Sequence, residues 1–135
     1  MFLQKHFINQ FNETVEEYVL DIDAKIMQRD CIPIILDTIH KAGVEISQYS
    51  LFYSDGDFDH HIVSANPRDI AGIFWNEDWY IDQLNIQCKL DRFGFWLYIV
   101  IASNCISIAY PHDKARPDAG VTLLSEIEKR LSNIE

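Results

Sequence analysis

The sequence predicts an α+β fold: an antiparallel sheet of about five strands with N-terminal helices and a C-terminal helix. Three observations predict it. Apolar residues recur at steps of three and four over residues 7–29 and again over 118–133, which is the helical repeat. Over residues 83–90 they alternate strictly with polar ones, as on a strand with one face on a core and one in water. Three of the links between strand-like runs are only a few residues long, which suits antiparallel neighbours and is too short for parallel crossovers. A chain of 135 residues fits a single domain, 1–135.

Taken in order, Phe7, Phe11, Val15, Tyr18 or Val19, Ile22 and Ile26 form the stripe of a first predicted helix. A second helix follows over 31–42, with Asp30 as its cap, Pro33 in its first turn and Gly43 at its end. Residues 48–53 and 58–64 read as the arms of a hairpin around Ser54-Asp55-Gly56-Asp57, because Asp-Gly between strand-like runs favours a tight turn. Asn66-Pro67-Arg68-Asp69 opens a turn or a short helix over 70–75. Residues 83–90, 95–102 and 105–110 then form a three-stranded meander. The final helix, 118–133, carries Asp118 near its start and Lys129 and Arg130 near its end, as the helix dipole prefers.

Composition limits the function. The chain is 48% hydrophobic and 13% aromatic, too apolar to remain disordered. Its 21 acidic and 11 basic residues give a formal charge of −10 and a pI of about 4.8. That balance argues against nucleic acid or an anionic membrane as partner, since both are bound through Lys and Arg. Cys31, Cys88 and Cys105 include no CxxC pair, so zinc-ribbon and thioredoxin-like chemistry are not expected. No secretory leader is legible at the start, and the longest apolar run, residues 95–102, is too short to span a bilayer. A cytoplasmic protein with free thiols is the expectation.

Candidate chemistry is sparse. Asp55-Gly56-Asp57-Phe58-Asp59-His60-His61 has the alternating carboxylates of a calcium loop, but His60 stands where such a loop needs glycine and Asn66 where it needs a bidentate carboxylate. His60 and His61 are neighbours on a predicted strand and so point to opposite faces, where they cannot easily bind one metal ion. The pairs Glu77–Asp78 and His112–Asp113 supply titratable groups, but nothing in the sequence brings either pair into a cleft. Nucleophile elbows, phosphate loops and dinucleotide fingerprints are missing. The expectation is therefore no catalytic residue, no metal and no cofactor. A small metal-dependent enzyme using His60 or His61 ranks third among the readings.

Charge placement is more informative. Residues 45–82 hold eight acidic residues and only Arg68, a net of −7 within a total of −10. Aromatic residues are interleaved with that charge in Phe74-Trp75-Asn76-Glu77-Asp78-Trp79-Tyr80. Carboxylates steer a basic partner inward while Trp and Tyr anchor it. The predicted partner-binding residues are Asp55, Asp57 and Asp59 on the hairpin, and Trp75, Glu77, Asp78, Trp79, Tyr80 and Asp82 in the segment that follows.

In size, acidity, α+β plan, lack of catalytic motifs and this Asp55-to-Tyr80 region, the whole chain resembles the immunity proteins of bacterial contact-dependent and other polymorphic toxin systems. The resemblance implies an inhibitor that binds one cognate toxin domain, often a basic nuclease, and covers its active site or substrate-binding surface. The chain is also similar in size, acidity and α/β composition to type III secretion chaperones. That alternative implies apolar grooves for an unfolded effector segment.

Overall fold

The computed structural model describes residues 3–8, 11–27, 31–111 and 117–133. Seven strands occur among them: β1 (Leu3–Ile8), β2 (Thr14–Asp21), β3 (Glu45–Ser54), β4 (Asp59–Ser64), β5 (Tyr80–Leu90), β6 (Phe93–Val100) and β7 (Cys105–Pro111). They form one antiparallel sheet in the order β1-β2-β7-β6-β5-β3-β4. Three helices complete the fold: α1 (Cys31–Lys41), α2 (Pro67–Phe74) and α3 (Pro117–Ser132). The α+β class is as predicted.

The first predicted helix is instead the β1–β2 hairpin, and this accounts for seven strands rather than about five. Its misleading periodicity has a physical origin. β2 lies between β1 and β7, and residues on both of its faces are buried. Val15 and Glu16 are buried, and so are Val19 and Leu20, two adjacent pairs four residues apart. Such spacing reproduces a helical stripe on an extended segment. Asn12, hidden inside the stripe, takes the left-handed conformation (φ 60°) that asparagine tolerates better than most residues. Residues 22–27 continue as a turn, with the Ile26 and Met27 amides donating to the Asp23 carbonyl. Residues 28–29, the end of the predicted helix, lie outside the described residues, as does Asp30.

The remaining elements stand close to their predicted positions. α1 ends at Gly43, whose φ of 76° favours glycine. α2 opens with Pro67 as its first residue, and the Asn66 side chain accepts from the Arg68 amide at 3.0 Å. β3, β5 and β6 begin two or three residues earlier than their apolar patterns suggest.

The core lies between the sheet and one layer of helices. The sheet contributes Leu20, Tyr49, Leu51, Leu84, Ile86, Leu97, Ile99, Ile106 and Ile108; the helices contribute Ile32, Ile35 and Ile39, Ile70 and Phe74, and Leu124, Ile127 and Leu131. Arg130 fastens α3 to α1. Its Nη2 lies 2.8 Å from an Asp37 carboxylate oxygen, and its Nη1 donates to Thr38 Oγ1 at 2.8 Å. The bonds from Arg130 and Lys41 hold the Asp37 carboxyl below its usual range. No helix among the described residues is long and apolar enough to cross a membrane.

Leu97 is fully buried on β6, the middle strand of the meander. Leu97→Ala removes buried methyl groups and leaves a cavity, so it should lower the free energy of unfolding by about 2–5 kcal/mol in urea titrations. A loss below about 1 kcal/mol would place Leu97 outside the core.

Candidate functional site

The β3–β4 turn is built by one carboxylate. Asp55 Oδ1 accepts from the amides of Asp57 (2.9 Å) and Phe58 (2.8 Å), and Oδ2 accepts from His60 Nε2 (2.8 Å). Gly56 supplies the turn's positive φ, 99°, and its amide donates to Ser54 Oγ. The His60 bond, followed by the Phe58 and Asp57 amides, holds the Asp55 carboxyl down to about 2. Asp55 therefore anchors the turn, and Asp57 and Asp59 project from it as exposed carboxylates.

Strand pairing brings the second acidic segment to the same place. β3 pairs with β5 so that Ser54 faces Tyr80 and Tyr53 faces Ile81. The Tyr53 ring stacks on Trp79 on one side (5.2 Å between centroids) and on His60 on the other (5.0 Å). This His60–Tyr53–Trp79 row joins the hairpin tip to the start of β5. Glu77 and Asp78 lie exposed in the turn leading to β5, where the Asn76 side chain accepts from the Asp78 amide at 3.0 Å. The register between Phe52 and Tyr53 is broken by an extra β5 residue, Asp82, which is exposed at the bulge.

The predicted aromatic residues divide by environment. Trp79 is half-buried beneath Tyr53, whereas Tyr80 and Trp75 are 67% and 57% exposed. Phe58, at the turn, is 69% exposed. Trp75 packs edge-on against Phe74 and borders an apolar cleft of about 260 Å³ between α1 and α2. Ile32, Pro33 and Leu36 form one wall, Ile70, Ala71 and Phe74 the other, and Tyr49 and Leu84 the floor. This cleft is not legible in the sequence, because it depends on how two separated helices sit on the sheet. Tyr53 and Phe58 also belong to this end, although their strand-like pattern describes a core as well as a surface.

Other candidates are structural. His61 lies on the opposite face from His60, stacked on Phe52 (4.1 Å, 5°) and sharing a hydrogen bond with Ser50 Oγ. Among the described residues, no group of three or more His, Cys, Asp or Glu side chains is placed to hold a metal ion. Cys31 and Cys88 are buried and Cys105 is half-buried, all as free thiols. Burial pushes the Cys88 thiol up to about 12, so it stays protonated at neutral pH. His112 and Asp113 lie outside the described residues.

Comparisons of the chain with protein-family models, with curated proteins and with solved structures found no match.

The Asp55 geometry predicts a pH dependence. A carboxyl held down in the folded state contributes stability that is complete above its unfolded value, near 3.8, and is lost as pH falls toward about 2. Asp55→Asn should lower the urea midpoint at pH 5, and the deficit should shrink steadily between pH 4 and pH 2. A deficit that does not change with pH would remove the carboxylate charge from the account.

Proposed function

We propose that this chain is an immunity-type inhibitor: a cytoplasmic binding protein, not an enzyme, that docks one to one on a basic toxin domain such as a nuclease. One observation carries the reading. Pairing of β3 with β5 gathers Asp57, Asp59, Glu77, Asp78 and Asp82 at one end of the sheet, beside exposed Tyr80 and Phe58. Six of the eight acidic residues in 45–82, these five and Asp55, thus supply a concentrated negative field with aromatic anchors in it. Such a field raises the rate of encounter with a basic protein, and desolvated aromatic side chains then slow dissociation. The same field repels nucleic acid and anionic membrane.

A second reading, a secretion chaperone for an effector segment, is favoured by the α1–α2 cleft beside Trp75. Its lining is almost wholly apolar, as an extended apolar segment requires.

Association kinetics with the protein encoded by the neighbouring reading frame test both readings. The inhibitor reading expects an association rate that falls steeply with salt. It also expects the combined Asp57→Lys, Asp59→Lys, Glu77→Lys and Asp78→Lys variant to associate at least about tenfold more slowly, and Tyr80→Ala to dissociate faster. An unchanged association rate overturns it. Tight binding of an unfolded segment that persists at high salt and is lost in Trp75→Ala supports the chaperone instead.

A further inference from the structure

The three helices cover one face of the sheet, and the other face has a built concavity of its own. Along β6, Phe93, Phe95, Leu97 and Ile99 point into the core, so Gly94, Trp96 and Tyr98 line the face without helices. The Trp96 and Tyr98 rings lie nearly parallel (10°), with centroids 6.3 Å apart. Trp96 is flanked across the ladder by Gln87 of β5 and Ala109 of β7. Small residues at 94 and 109 leave a hollow of about 530 Å³ beside the indole, walled by Phe11 and Glu13 on one side and Arg92 on the other. That volume lies within the range of small-molecule sites.

The hollow's chemistry is mixed. Arg92 and Gln87, both exposed, bring a guanidinium and a carboxamide to its lining. A wholly apolar ligand would bury these groups without replacing their water, at a cost. A nucleotide or other phosphate would meet one arginine against a chain of net charge −10. A ligand with one apolar face and a hydroxylated, uncharged edge satisfies both halves of the site. We propose that this hollow binds a pyranose sugar, its C–H face stacked on Trp96 and its hydroxyls hydrogen-bonded by Arg92 and Gln87. The site shares no residue with the acidic end and does not depend on the inhibitor reading.

Gly94 makes the proposal testable without disturbing the fold. It does not adopt a positive φ, and the nearest atom to a Cβ added there is the Cys88 carbonyl oxygen at 4.0 Å. Gly94→Leu therefore fills the hollow rather than straining the backbone. The experiment titrates isotope-labelled protein with the methyl glycosides of glucose, galactose, mannose and N-acetylglucosamine, following amide shifts by NMR. One of them should give saturable shifts at Gln87, Arg92 and Trp96. Gly94→Leu and Trp96→Ala should each weaken that binding by about tenfold or more, with the Gly94→Leu melting temperature unchanged. No saturable shift with any of the four sugars overturns the proposal, as does binding that survives Gly94→Leu. A response to oligolysine but to none of the sugars also overturns it and assigns this face to a basic protein.

Discussion

Pairing between β3 and β5 is the constraint on which the rest of the molecule depends. It joins two units that are each local in sequence, the β3–β4 hairpin and the β5–β6–β7 meander, into one sheet. Residues 45–54 must find residues 80–89 across α2 before Leu51 can meet Leu84 and Tyr49 can meet Ile86. Closing that intervening chain costs entropy, and burial of these apolar pairs offsets it. Two irregularities tune the match. An extra residue at Ser47 in β3 shifts the register near one end, and an extra residue at Asp82 in β5 shifts it near the other. The second bulge turns Ile81 into the core and leaves Asp82 in solvent.

How legible each part was in the sequence follows from how local its determinants are. The meander could be read because β5 has one face in water, so its polar and apolar residues alternate. The hairpin could be read because Asp55 and Gly56 perform their turn chemistry within four residues. α1 and α3 carry their stripes and end signals with them. β2 could not be read, because a strand touched on both faces has no twofold pattern to show, and its buried pairs imitate a helix. The acidic end was legible as composition but not as a surface. Nothing in residues 55–59 or 75–82 states that the two stretches adjoin; that is decided by the Ser54–Tyr80 register. The role of Asp55 changed for the same reason: sequence showed a charge, and geometry showed that charge committed to the turn.

Gathering carboxylates at one end works against the compact state, since like charges repel across a short span. The molecule answers this locally. Asp55 is matched to His60 and two backbone amides. Asp57, Asp59, Glu77 and Asp78 extend into water, where screening is greatest. The stacked His60, Tyr53 and Trp79 rings brace the ground between them.

The strand order has a practical corollary. β1 and β4 are the two margins of the sheet, six interstrand spacings apart, or about 29 Å at the usual 4.8 Å per step. The amino-terminal strand therefore runs along the margin remote from the hairpin that bears Asp57 and Asp59. The register carries Leu3 through Val19, Ser107, Tyr98 and Asn85 to Ser50, so a tether at the start of β1 shares the hairpin tip's end of the sheet and is separated from it only by the sheet's width.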